Sequence, residues 1–167
     1  MKNSSYLWRR LAYGEYFNRL LAFAILMQLP PRLQQFVDES ATLDKLTRSM
    51  LLLDYADGLG DYPDDKKDDV HRVRGCTSLV YLDADFDETD GVMQYRGFAD
   101  AQIVKGMVAI LVNGLNGETP EAIVAVDPTF ILDAGLGEAL SVTRQGGLAN
   151  ILNRMQNAAR ANLEPST

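Results

Sequence analysis

Thr77-Ser78-Leu79-Val80-Tyr81-Leu82-Asp83-Ala84-Asp85-Phe86, followed beyond Asp90-Gly91 by Val92-Met93-Gln94-Tyr95, decides the fold class. Both runs are rich in β-branched and aromatic side chains, which pack well on a pleated surface. Asp90-Gly91 between them is a hairpin cue, because a tight turn of this hand needs positive φ. Residues 70–73, on the other side of Cys76, predict a third strand. Asp83, Asp85 and Asp87 alternate with Leu82, Ala84 and Phe86, as in a half-exposed strand. The same aspartates begin like a calcium loop, but Glu88 stands where glycine is needed and Gln94 where the bidentate glutamate should be.

Outward from the hairpin the periodicity is helical. Pro30-Pro31 marks a boundary, and Leu33, Phe36 and Val37 form a short apolar stripe after it. Leu43, Leu46, Met50 and Leu53 recur at helical spacing, with Leu52, Ala56 and Leu59 widening the face. Gly58 and Gly60 read as stop signals, and a solvated loop with Asp61, Asp64, Asp65, Asp68 and Asp69 follows. Downstream, Ile103, Val104, Met107, Val108, Leu111 and Leu115 define one helix that ends at Asn116-Gly117. Thr119-Pro120 and Asp127-Pro128 each read as an N-cap followed by proline at the first helical position. Leu148, Ile151, Leu152 and Met155 form the last amphipathic helix. The expectation is an α+β domain: a short antiparallel sheet of about three strands flanked by N- and C-terminal helices.

Composition narrows the function. The 167 residues carry a net charge of −7 and a pI near 4.6. That argues against nucleic acid, since phosphate recognition needs clustered Lys and Arg. No apolar run reaches the ~20 residues of a membrane-spanning helix, so no membrane partner is expected. The longest, over residues 20–29, follows Lys2, Arg9, Arg10 and Arg19. Residues 1–28, with the only tryptophan, Trp8, read as an N-terminal extension ahead of a domain over 29–167, and Met27 is an alternative start. A single cysteine makes no internal disulfide and fits a reducing compartment. The expected location is the cytoplasm, or the plastid stroma if the source is a photosynthetic eukaryote.

That cysteine, Cys76, lies in the turn-like string Val73-Arg74-Gly75-Cys76-Thr77-Ser78. A free cysteine is often a small buried hydrophobe. Here Gly75 frees the backbone beside it, and His71, Arg72 and Arg74 place positive charge nearby in sequence, which favours a nucleophilic thiolate. His71, the only histidine, suggests no acyl-transfer couple, because no orienting third residue accompanies it. It reads as a surface or structural residue. Asp100 precedes an apolar helix and reads as its N-cap or first-turn acid. Arg144 sits at the start of the last helix, where a cation opposes the dipole, which predicts a tertiary partner for it. No phosphate-cradling loop, metal site or cofactor site is expected.

Three strings in register resemble the SufE family of sulfur-acceptor proteins. They are Val73-Arg74-Gly75-Cys76-Thr77-Ser78-Leu79-Val80-Tyr81, Gly97-Phe98-Ala99-Asp100-Ala101-Gln102-Ile103-Val104-Lys105-Gly106 and Leu140-Ser141-Val142-Thr143-Arg144-Gln145-Gly146-Gly147-Leu148. The resemblance runs over roughly residues 30–160. It implies a role in iron–sulfur cluster assembly: a pyridoxal-phosphate cysteine desulfurase passes persulfide sulfur to Cys76, which relays it to a cluster scaffold. It implies stimulation of the desulfurase, and an accessory of transpersulfidation rather than a stand-alone enzyme. Asp100 and Arg144 match supporting positions, and His71, Arg74, Gly75, Thr77 and Ser78 match the loop that positions the sulfur. Thr77 stands where the family usually has glutamine, Tyr81 where it has tryptophan, His71 where asparagine is common and Ala99 where serine is common. Residues 111–120 are similar to versions from photosynthetic lineages. The competing readings are a non-catalytic protein-binding module with an incidental thiol and, below it, an iron–sulfur scaffold, which would need several thiolates. A thiol peroxidase or cysteine hydrolase ranks lower still, for want of a resolving cysteine or a triad.

Overall fold

The computed structural model describes residues 28–163. The expectations for the N-terminal extension, Trp8 and a start at Met27 fall outside them. Within them the chain is an α+β layer in which one β-hairpin is packed on a bed of helices.

The hairpin is β1 (Val80–Asp87) and β2 (Val92–Ala99), antiparallel, with Val80 opposite Ala99 and Asp87 opposite Val92. Gly91 takes positive φ in the turn, as its sequence predicts, and its N–H donates to Asp87 O at 2.8 Å. Two features differ from expectation. β2 runs on to Ala99 rather than stopping near Tyr95. The third strand is reduced to one bridge, Arg72 to Tyr81, so the sheet has two strands among the described residues. Residues 70–73 pair only where Val73 N–H meets Val80 O and His71 O meets Leu82 N–H, because Gly75 then turns the chain toward the last helix.

Beside the hairpin lie α1 (Pro31–Ala41), α2 (Lys45–Asp57) and α3 (Gln102–Leu115). Pro31 opens α1 without losing a hydrogen bond that the first turn could have made. Asp44 caps α2 by accepting from Leu46 N–H and Thr47 N–H. Most of α3 is buried, and it touches β2, α2, α1 and the last helix. Two glycines permit that: a Cβ on Gly97 would collide with Val108 Cγ1, and one on Gly106 would collide with Leu52 O.

This contact corrects the expected face of α2. Leu46, Met50 and Leu53 are exposed, and the buried residues are Arg48, Leu52 and Ala56. Arg48 is tolerated inside because its guanidinium donates to Ser40 O, Leu43 O and Gly135 O, so its charge is spread over three carbonyls. A second correction concerns Asp83, which is 5% exposed rather than half-exposed. Its carboxylate is met by Lys66 at 2.6 Å and Arg96 at 2.5 Å, both of which remain partly exposed.

Three short helices follow: α4 (Pro120–Val124), α5 (Phe130–Asp133) and α6 (Leu136–Ala139). Thr119 caps α4 as its sequence predicts, and Asp127 caps the turn into α5 through Thr129 N–H. The long α7 (Val142–Arg160) buries Leu148, Ile151, Leu152 and Met155. Tyr95 OH donates to Met155 O at 2.9 Å and ties it to the hairpin.

Gly106→Ala drives a methyl into the α2 backbone. Unfolding in urea is expected to show a loss of about 2–3 kcal/mol, the range for overpacking a tight contact; wild-type stability would mean that α2 and α3 do not meet at this glycine.

Candidate functional site

The chain ahead of β1 forms a strap that crosses the start of α7. Asp68 shapes its entry, its carboxylate accepting from Val70 N–H and His71 N–H. Gly75 makes the turn with φ of 81°, a conformation that L side chains rarely adopt. Cys76 follows, half-buried against the core.

One face of α7 receives this strap. Cys76 Sγ–H is aimed at Gly147 O at 3.7 Å. Asn150 Nδ2 donates to Gly75 O at 3.1 Å, and Arg154 Nη2 donates to Val70 O at 3.0 Å. Residues 147, 150 and 154 fall on one side because steps of three and four bring helix positions into line. A Cβ on Gly147 would stand 3.7 Å from Sγ, an ordinary contact, so the sulfur lies directly against this turn of the helix.

At the far end, Leu79 N–H donates to Asp100 Oδ1 at 3.0 Å, and Asp100 N–H donates to Leu79 O. Asp100 is therefore not the N-cap of α3. That position belongs to Ala101, which offers no side-chain cap, and the Asp100 carboxylate is turned to the strap instead. Arg144 is exposed in the first turn of α7, three residues before Gly147 and on the same helix face. Arg74 and Thr77 are exposed and Ser78 is half-buried.

The electrostatics differ from what nearness in sequence suggests. Burial pushes the Cys76 thiol above its ordinary value, because the charged thiolate loses hydration. Two of the neighbouring cations, His71 and Arg74, face carboxylates instead. His71 Nδ1 is 2.7 Å from Asp68 Oδ1 and its Nε2 is 3.6 Å from Asp83, while Arg74 reaches Asp69 at 3.8 Å. Asp83 has the opposite balance: burial opposes its ionisation, but hydrogen bonds from Lys66 and Arg96 hold it below the usual carboxylate range. The sulfur is thus sheltered in the turn that follows Gly75, in surroundings that favour its protonated form.

Asn150, Arg154 and the Lys66–Asp83–Arg96 cluster are absent from the sequence-based expectations. The polar residues at 150 and 154, in line with the Gly147 of the third matching string, are a signal for a contact face, though helical spacing does not reveal what such a face meets. Among the described residues no group of three or more metal-binding side chains gathers, and no helix is long and apolar enough to cross a membrane.

The SufE model, an Fe-S metabolism associated domain, matches residues 34–159 and so spans the hairpin, the strap and α7.

The chain belongs to the SufE family.

A SufE-like protein of Synechocystis is 41% identical over 80% of this chain and 83% of its own length. The chain also matches SufE-like protein 1, chloroplastic/mitochondrial, of Arabidopsis thaliana at 35% identity, and cysteine desulfuration protein SufE of Plasmodium falciparum at 32%. It covers 79% and 77% of itself in these matches, but only 36% and 53% of those longer proteins. Among solved structures, the solution structure of a hypothetical protein from Thermus thermophilus superposes with a TM-score of 0.71 at 32% identity, covering 81% of this chain and 98% of that one. The α+β architecture is thus shared with an experimentally determined structure.

The sheltered thiol makes stability depend on pH. Because the folded state favours the protonated form, this contribution is whole below the ordinary thiol value of about 8.5 and is lost as pH rises through the higher folded value. Urea unfolding of wild type and Cys76→Ser from pH 7 to pH 10 is expected to show wild type losing stability relative to the variant above about pH 8.5; parallel curves would show that the thiol is not shifted.

Proposed function

We propose that this protein is a sulfur acceptor that takes persulfide sulfur from a cysteine desulfurase on Cys76 and passes it to an iron–sulfur cluster scaffold. The observation that carries this reading is the placement of the chain's single cysteine, within the family match, on a strap held to α7 by a handful of polar contacts. The carrier function is assigned to the domain over residues 29–167.

The step is an exchange between sulfurs. The Cys76 thiol gives up its proton, and the resulting thiolate attacks the terminal sulfur of the donor's persulfide. A new Sγ–S bond forms as the donor's S–S bond breaks. The donor cysteine leaves as a thiolate and takes up a proton, so persulfide and thiol change places with no net oxidation. Such attack follows the rules of thiol–disulfide exchange and needs a deprotonated, reachable sulfur. A lone cysteine suits a carrier, because a second thiol alongside would discharge the persulfide as a disulfide.

The burial of Cys76 is consistent with this role. The thiol is protected between encounters and becomes nucleophilic when a donor surface replaces α7 as its surroundings. Asp100 holds the trailing end of the strap at Leu79, which makes it a positioning residue for the sulfur. We assign Arg144 to the same face as a cation available to the incoming or leaving thiolate. His71, Arg74, Gly75, Thr77 and Ser78 shape the loop. The pyridoxal phosphate of the reaction belongs to the donor, and no cofactor is assigned to this chain. The action on a desulfurase is proposed as stimulation through removal of its bound sulfur, and the location as cytoplasm or plastid stroma.

Incubation with a cysteine desulfurase and cysteine is expected to add one sulfur atom to the intact mass. A reductant should remove it, and Cys76→Ser should not acquire it. Asp100→Asn keeps the cysteine but weakens the hold on Leu79; its loading rate is expected to change by about three- to tenfold, in line with a charge-assisted hydrogen bond. A wild-type chain that gains no mass while the desulfurase turns over would refute the carrier role.

A further inference from the structure

The strap is held unevenly along its length, and that unevenness marks which part of it moves. Up to Val73 it is joined to the body by backbone: His71 O accepts from Leu82 N–H at 2.8 Å, and Val73 N–H donates to Val80 O at 2.9 Å. Arg154 adds its bond to Val70 O. From Leu79 onward it is joined again, through both Asp100 bonds. Between these anchors lie residues 74–78. Besides the packing of Cys76 against the core, the polar contacts that hold this segment to the body, among the described residues, are the Sγ–H contact to Gly147 O at 3.7 Å and the Asn150 bond to Gly75 O at 3.1 Å. The Arg74–Asp69 pair stays within the strap and is exposed on both sides, so it weighs little.

A thiol donor at that distance is a weak partner. The Asn150 amide is therefore the one ordinary hydrogen bond, among the described residues, that must break for Cys76 to leave α7. Steric fit gives Gly75 a second reason to be glycine. A Cβ at that position would stand 2.6 Å from Asn150 Nδ2, so any side chain there would push the amide off its seat as well as strain the turn.

We propose that Asn150 is the latch of the cysteine loop: its side-chain amide, by holding Gly75 O, keeps Cys76 in the sheltered position, and its release lets residues 74–78 swing away from α7 between hinges at Val73 and Leu79. Asn150 acts through the loop and is a positioning residue. A partner opens the latch by offering Gly75 O, or the Asn150 amide, a better bond. The latch itself is a statement about access to the thiol; only its use in sulfur transfer rests on the carrier reading above.

Alkylation of the full-length chain with iodoacetamide tests this without any partner. Asn150→Leu keeps much of the shape but removes the donor without adding charge, and Asn150→Ala removes the group while favouring the helix. Both are expected to alkylate about five times faster than wild type, the factor that one typical net hydrogen bond supports. The midpoint of the alkylation rate against pH should fall toward that of an ordinary thiol, since the exposed sulfur regains its hydration. Hydrogen exchange should quicken over residues 74–78 and stay unchanged over β1 and α7. Wild-type rates and exchange in both variants would overturn the latch, as would faster alkylation accompanied by equal loosening of β1 and α7. Loading by a desulfurase separates the two ideas. A chain that takes no sulfur yet alkylates faster on loss of Asn150 keeps the latch and loses the carrier role. A chain that loads on Cys76 with alkylation indifferent to Asn150 does the reverse.

Discussion

The contact between α3 and its neighbours is the constraint on which the site depends. α3 is almost wholly buried, and it carries the hairpin on one side and α2 on another. Val108 fits where Gly97 has no side chain, and Leu52 O fits where Gly106 has none. These close approaches set the height and angle of the hairpin over the helical bed. Because β1 fixes the end of the strap, and because Tyr95 on β2 holds α7 through Met155 O, the geometry around Cys76 is inherited from the packing of α3. Interiors this dense pass displacements on rather than absorbing them.

The carrier role proposed for Cys76 sets two demands that conflict in a free thiol. A sulfur acceptor must be nucleophilic at the moment of transfer, yet a persulfide left in water is exposed to stray thiols and oxidants. Here the sulfur's resting place is half-buried, which pushes the thiol above its ordinary value, and His71 and Arg74 are turned to carboxylates. In the proposed role, reactivity then depends on movement. The loop has a left-handed glycine beside the cysteine and few bonds to the body, so opening it costs little compared with unfolding any element of the core. Low local stability at a functional loop, supported by a rigid frame, is the usual division of labour in folded proteins.

The cluster of buried Asp83 with Lys66 and Arg96 belongs to the frame. It lies along the hairpin, with His71 of the strap beside it. A carboxylate inside a protein is tolerated only when cations and hydrogen bonds replace its water, and two cations do so here. The strap therefore passes this charge array first and only then reaches the turn at Gly75.

Much of this was legible in the residues. The alternation from Val80 onward, Asp90-Gly91 and the Leu148–Met155 stripe correctly indicate a hairpin followed by a terminal helix, because side-chain period and turn chemistry are local properties of the chain. Cys76 stands out for a similar reason: it is the only thiol, and it sits beside a glycine. What misled was nearness along the chain. Leu46, Met50 and Leu53 have helical spacing but face outward, since spacing defines a face without saying which face meets the core. Asp100 looks like a cap and is a tether. His71 and Arg74 look like activators of the thiol and are engaged by Asp68, Asp83 and Asp69. The residues alone are enough for the class of fold, and they single out Cys76 as the candidate for the proposed chemistry. Only the tertiary structure decided that its sulfur is sheltered, and that Asn150 and Arg154 of α7, more than seventy positions away, hold the strap that bears it. Burial and hydrogen bonding between distant segments exist only once the chain is packed, and no local pattern encodes them.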